Sequence, residues 1–345
     1  MKEKAKKCCY FFAVSFIIIF FVTSASSYGQ SSSTYSEKVE ELKRLVEQMK
    51  SPDITREEHK ALEEHYNQLK AEIEKLRQAE LAKSSDKDKQ NVAKRAYNRG
   101  GQLLRKGKYQ EALAAYDEAI AGIPDYSVAY HGKGLALKSL RRYLEAEAAY
   151  QKAIELDSSN AQAYFALGKL YSAQDMDTKA IAIYDLAIKK NANWEKPYYE
   201  KAVLYEKMKE YDKAADILRT VTQLKPDYDR AYYLLGRVLL SSAKYDEAIM
   251  AFETTIALSS RNANLSYWGI ARANNKKGDF KAALEAAKQA IAAKPNDAMS
   301  LFEAGEACKN LGRKQDAIDY FTEAAKNRKW RKSAEYEIKL LTESK

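Results

Sequence analysis

Apolar residues recur along most of this chain in steps of three and four, the spacing that places them on one face of an α-helix. Two such seams come first. Val39, Leu42, Val46 and Met49 form one, and Leu62, Tyr66, Leu69, Ile73 and Leu76 form the other. Ser51-Pro52-Asp53 interrupts them, and Thr55-Arg56-Glu57-Glu58 has the form of a capping box that starts the second helix. The pattern predicts a helical hairpin or short coiled coil over 37–82, either closed on itself or free to dimerise or dock on the remainder of the chain. The stretch Lys83 to Gln90 contains no apolar residue. It reads as a linker, 83–92.

From residue 93 the apolar pattern repeats with a period of 34. Rows 93–126, 127–160, 161–194, 195–228, 229–262, 264–297 and 298–331 align once a single extra residue is allowed between the fifth and sixth. Ala112, Ala146, Ala180, Ala214, Ala248, Ala283 and Ala317 then fall in one column. A second column is small throughout: Gly100, Gly134, Gly168, Ala202, Gly236, Ala271 and Gly305. Four residues after the alanines stand Tyr116, Tyr150, Tyr184, Leu218, Phe252, Ala287 and Phe321, mostly bulky. Small residues that let helices approach, paired with knobs that fill the neighbouring groove, describe two antiparallel helices per row. A unit of this kind cannot bury both faces alone, so the rows are expected to stack into a solenoid. Ser333 to Thr342 reads as a short amphipathic helix within 332–345 that covers the last row.

These columns resemble the tetratricopeptide repeat (TPR) family. The third row is the clearest copy, with Tyr164, Leu167, Gly168, Tyr171, Ala180, Tyr184 and Ala187. The family's aromatic at the start of the second helix is present as Tyr109, Tyr143, Tyr211, Tyr245 and Phe280, but is Asp177 and Lys314 in rows three and seven. Its closing proline survives as Pro124, Pro226 and Pro295. The resemblance implies an all-α, right-handed superhelical solenoid. It also implies that the second, fifth, ninth and twelfth positions of each first helix line a concave groove.

The fifth positions are Tyr97, His131, Phe165, Tyr199, Tyr233, Trp268 and Phe302. The four columns together hold Lys94, Lys138, Lys169, Lys196, Arg230, Arg237, Arg272 and Lys309 against Glu206 and Glu306. Cations between aromatic faces suit an extended, acidic or carboxylate-bearing peptide, because rings supply rigid contact area and Arg supplies charge-assisted hydrogen bonds. The expected contact set is therefore Tyr97, His131, Phe165, Lys169, Lys196, Tyr199, Arg230, Tyr233, Arg237, Trp268, Arg272 and Phe302, centred on Lys169, Arg237 and Arg272. The resemblance does not extend to the carboxylate clamp of the cytosolic chaperone-binding subset, since rows one and two offer Tyr97, Gly101, His131 and Leu135.

Charge adds a direction. The formal net charge is +10, and the basic run Met1 to Lys7 holds four lysines against Glu3, so the rest of the chain carries +7. That run is followed by an apolar stretch from Cys8 to Val22 and small residues up to Gly29, the three-part form of a secretory signal. The apolar stretch is shorter than the roughly 20 residues that span a bilayer, which favours a cleaved signal peptide, 1–29, over an anchor. The chain is thus expected to be secreted or periplasmic, or else membrane-anchored and facing the periplasm or lumen. Export disfavours a nucleic-acid partner.

No chemistry is recognisable. The three histidines are His59, His65 and His131, no CxxC, HExxH or Gly-rich phosphate loop occurs, and Cys308 is the one cysteine outside the N-terminal segment. Neither catalysis, a metal nor a cofactor is expected. The sequence therefore predicts a scaffold or adaptor that binds protein. An accessory subunit of a secretion, envelope-assembly or glycan-processing complex, tethered by an uncleaved N-terminus, is the alternative.

Overall fold

The computed structural model describes residues 33–51 and 54–343, and the expected signal segment 1–29 lies outside them. The described residues form two compact units, one from 33 to 99 with 118–124, the other 100–117 with 125–343.

In the first unit, α1 (Ser33–Met49) lies along the start of α2 (Arg56–Arg105). The two predicted seams meet: Tyr35, Val39, Leu42, Leu45 and Val46 are buried with Tyr66, Leu69 and Ile73. Lys38 pairs with Glu72 at 2.6 Å and Glu41 approaches His65 at 3.7 Å, so the helices run antiparallel. The capping box forms as read. The Glu58 amide donates to Thr55 Oγ1 at 3.2 Å, and the Thr55 amide donates to Glu58 Oε2 at 2.9 Å. The Thr55 hydroxyl, donating to the same Glu58 oxygen at 2.7 Å, and the Thr55 amide hold the Glu58 carboxyl below the usual range.

The stretch read as a linker has a regular backbone. Residues 83–92 are helical, part of the single 50-residue α2 that continues into the first row. Its stretch 83–90, without apolar residues, has no face to bury, but it is rich in Lys, Asp and Ser with no Gly or Pro, and nothing in it breaks a helix already propagating on both sides.

In the second unit the rows become helix pairs. Row one contributes the end of α2 and the start of α3 (Tyr109–Gly122). Rows two to seven contribute α4 (Ser127–Ser139) and α5 (Tyr143–Leu156), α6 (Ala161–Ser172) and α7 (Asp177–Lys190), α8 (Glu195–Lys207) and α9 (Tyr211–Leu224), α10 (Asp229–Ser241) and α11 (Tyr245–Leu258), α12 (Ala263–Lys277) and α13 (Phe280–Ala293), and α14 (Ala298–Asn310) and α15 (Lys314–Ala325). α16 (Arg331–Glu343) closes the series against α15. From α4 onward each helix packs on the next, and successive first helices also touch, which is solenoid stacking. The extra residue before row six is taken up by a short 3-10 turn, Ser260–Asn262.

The alanine column is completely buried, and so are the knobs Tyr150, Tyr184, Leu218, Phe252 and Phe321. Phe252 explains the small column. A Cβ at Gly236 would fall 2.8 Å from its ring, and one at Gly269 in the next row would fall 2.5 Å away. Two backbones clamp one ring, so rows five and six share this knob.

A further regularity joins the two helices of every row. The fifteenth residue takes a left-handed conformation in all seven: Gly107, Arg141, Asp175, Lys209, Ala243, Gly278 and Gly312. The amide that follows it bonds back to the carbonyl five residues earlier, for example Arg142 to Leu137 at 2.9 Å and Lys244 to Leu239 at 2.9 Å. Four of the seven residues carry a Cβ where glycine is preferred. Ala243→Gly, at φ 60°, and Lys209→Gly, at φ 61°, are each expected to stabilise the protein by about 0.5–1 kcal/mol, as measured by urea unfolding.

Candidate peptide-binding face

The first helices bring most of the predicted contact residues onto one face of the second unit. His131, Phe165, Tyr199, Tyr233, Trp268 and Phe302 are all half-buried. Tyr97, also half-buried, belongs to the first unit and is not part of that set.

Four of the six rings on this face rest on a deeper one, in the rows whose knob is aromatic. His131 lies 5.9 Å from Tyr150, Phe165 5.9 Å from Tyr184, Tyr233 6.0 Å from Phe252 and Phe302 5.2 Å from Phe321, so the fifth column stacks on the knobs of its own rows. A second set of rings, not anticipated from the sequence, stands beside it. Trp194, Tyr228 and Trp330 immediately precede the next first helix or lie at its start, and they pack on Phe165 at 4.8 Å, Tyr199 at 5.2 Å and Phe302 at 5.0 Å. Two of them occupy the last position of a 34-residue row, a column that also holds Tyr126. Reading that column for aromatics would have found them.

In the ninth column, Lys169, Arg237 and Arg272 were expected to centre the site, and each already has partners within the array. Each sits over the ring four residues earlier on its helix, at 5.8 Å from Phe165, 5.9 Å from Tyr233 and 5.5 Å from Trp268. Each also pairs with a carboxylate on the adjacent first helix: Lys169 with Glu200 at 2.8 Å, Arg237 with Glu206 at 2.7 Å and Arg272 with Glu303 at 3.2 Å. Lys309 is likewise matched, by Glu306 at 2.7 Å and Glu337 at 2.8 Å. Glu200 and Glu303 come from the sixth position of their rows, one residue outside the columns used to count charge.

Glu303 shows why a carboxylate is tolerated there. The sixth position is where Gly132 and Gly269 face the preceding row's knob, but the knob of row six is Ala287, which leaves room for a longer side chain. Glu303 fills it, 5 % exposed, accepting from Asn275 Nδ2 at 2.9 Å as well as from Arg272. Burial pushes its carboxyl up, against the opposing pull of Asn275 and Arg272. A carboxyl that holds its proton more tightly when folded stabilises most below the unfolded pKa, and that contribution is lost as pH rises through the folded pKa. Glu303→Gln removes this dependence. Relative to the parent, the variant is expected to gain stability between pH 4 and pH 7, and paired thermal melts at the two values test it.

In the second unit, three cations of the columns have no carboxylate within 4 Å among the described residues: Lys138, Lys196 and Arg230. Lys196 and Arg230 are exposed at the second positions of α8 and α10. Arg230 lies close enough to Tyr199 and Tyr228 to pull both phenols down, although burial dominates and holds Tyr199 up at about 12. Lys138 is half-buried, and burial together with the neighbouring Lys169 lowers its pKa while Glu200 opposes them. The unmatched charge thus lies around Phe165, Trp194, Tyr199 and Tyr228.

Three family models match within the array. The model described as TPR repeat covers 134–175, tetratricopeptide repeat covers 269–334, and anaphase-promoting complex, cyclosome, subunit 3 covers 173–255. The chain is a tetratricopeptide repeat protein. Among solved structures, this TPR protein is similar to YrrB, described as a TPR protein with an unusual peptide-binding site, at 24 % identity and TM-score 0.50 over 54 % of this chain and 96 % of that one. It is also similar to the C-terminal part of a TPR repeat-containing protein from Cytophaga hutchinsonii, at 17 % identity and TM-score 0.58 over 68 % and 98 % of the two chains. At such identities the likeness is one of fold. No curated relative matches.

Proposed function

We propose that this TPR protein is an exported scaffold that holds an extended, acidic segment of a partner protein along its first-helix face. The observation that carries the reading is the double tier of rings in rows three to five, with exposed, unmatched cations beside it. Phe165, Trp194, Tyr199, Tyr228 and Tyr233 give a rigid apolar strip, and Lys196 and Arg230 flank it. An extended segment whose side chains alternate would set one row against the rings and present carboxylates to the cations. Lys138 would be the third contact, and a carboxylate beside it would relieve its repulsion from Lys169.

The ninth-column cations take a supporting role in this reading. Matched by Glu200, Glu206 and Glu303, they fix adjacent first helices in register and hold the rings in place. YrrB is described by its peptide-binding site, which makes a peptide ligand a natural expectation for a similar array. Export rests on the N-terminal sequence alone.

Affinity capture from the native organism with cross-linking tests the proposal. The expected result is a cross-link from Lys196 or Lys138 to a carboxylate-rich segment of one partner. Cross-links confined to the second helices, or to a segment without Asp or Glu, would contradict it.

A further inference from the structure

A second charged surface lies at the end of the array, apart from the face just described. Between Glu323 and Glu335 the sequence contains Lys326, Arg328, Lys329, Arg331 and Lys332 and no acidic residue. Lys326 is matched by Glu323 at 2.6 Å, and Arg331 Nε donates to the Ala325 carbonyl at 3.3 Å. Arg328, Lys329 and Lys332 are exposed, with no carboxylate within 4 Å among the described residues.

α16 continues this surface. Its inner face, with Ala334 buried and Ile338 and Leu341 partly so, packs into the core of the array, and Glu337 pairs with Lys309. Among the described residues no helix stacks on the outer face of α16, and an unstacked face in a repeat array is ordinarily polar. Here Tyr336 is 60 % and Leu340 46 % exposed. Lys332, Tyr336 and Leu340 are spaced by four, so they form one stripe along α16 that leads out of the basic turn.

We infer that this end of the chain docks on an anionic lipid surface. Cations and apolar side chains share one stripe, as in helices that lie in a membrane interface, with lysine and arginine among the headgroups and a tyrosine and a leucine reaching the acyl boundary. The three unmatched cations are exposed on a turn and a helix start, which suits a fluid array of headgroups that needs no fixed geometry. α16 stays anchored through its inner face, so docking requires no unfolding.

Trp330 sits within the basic turn and gives a local readout even if the N-terminal segment also binds lipid. The full chain carrying Trp194→Phe and Trp268→Phe leaves it as the sole tryptophan of three. Energy transfer from Trp330 to a dansyl-labelled headgroup would be followed on vesicles of phosphatidylcholine with and without 30 % phosphatidylglycerol, a composition of about that proportion being enough to attract polybasic segments. Transfer is expected on the anionic vesicles and not on the neutral ones. Adding Arg328→Glu, Lys329→Glu and Lys332→Glu should raise the lipid concentration for half-transfer by about a hundredfold or more. Tyr336→Ser with Leu340→Ser, which leaves every cation in place, should raise it by roughly tenfold. Absent transfer on anionic vesicles, equal transfer on neutral ones, or an unchanged half-point in the triple variant would each overturn the inference. So would binding of poly-glutamate, sensitive to the triple variant, with no transfer to vesicles, which would mark an acidic protein as the occupant. None of these outcomes depends on the first-helix face, whose cations and rings other than Trp194 and Trp268 are unaltered in the test.

Discussion

Phe252→Ala is expected to destabilise the repeat array by about 3–5 kcal/mol, the upper range for truncating a buried aromatic. The ring is completely buried and faces glycine on both sides, Gly236 of its own row and Gly269 of the next. Helices already at closest approach have little room to collapse into the space the ring leaves, so most of the cavity persists. Because the ring belongs to two rows, the loss falls on the junction between rows five and six as well as on row five. Urea unfolding of the variant and parent gives the difference directly. A loss under about 1 kcal/mol would mean that the rows do not depend on shared knobs.

Lys196→Glu with Arg230→Glu is expected to weaken capture of the acidic partner segment by about a hundredfold or more, with little change in melting temperature. Both side chains are exposed and without a carboxylate partner among the described residues, so reversal disturbs no internal pair. Facing the ligand, two reversed charges replace attraction by repulsion. Arg237→Glu with Arg272→Glu should behave differently. It sets carboxylates against Glu206 and the buried Glu303, which have no other cation to take over the pairing, and is expected to cost about 3 kcal/mol of stability. Binding isotherms and melts on both double variants separate cations that meet the ligand from cations that hold the wall. Capture weakened as much by the second pair, with unchanged stability, would return the ninth column to the binding role first expected of it.

The features legible in the sequence were those set by packing. Ala180 and Gly168 can be read because only small side chains fit where helices cross, and Tyr184 because a large one must fill the opposite hollow. The left-handed junction was invisible where Arg141, Asp175, Lys209 and Ala243 stand in place of glycine, since the hydrogen bond that follows it fixes the backbone regardless of side chain. The helical 83–92 stretch was hidden for a related reason, as hydrophobic pattern reports burial and not backbone state. The charge of the binding face was misjudged at one position, the sixth, in rows four and seven. Glu200 and Glu303 lie one residue from the columns counted, on the side of the helix turned toward the preceding row, and there they neutralise Lys169 and Arg272. Glu303 could have been suspected from Ala287, because a missing knob must be replaced by something.

The most direct test of the central claim is backbone hydrogen exchange of the chain with and without its captured partner. If the first-helix face holds the segment, added protection should concentrate in α6, α8 and α10, which carry Phe165, Tyr199, Lys196, Arg230 and Tyr233, and leave the second helices α7, α9 and α11 unchanged. Protection confined to those second helices, or to the α1–α2 hairpin, would contradict the account.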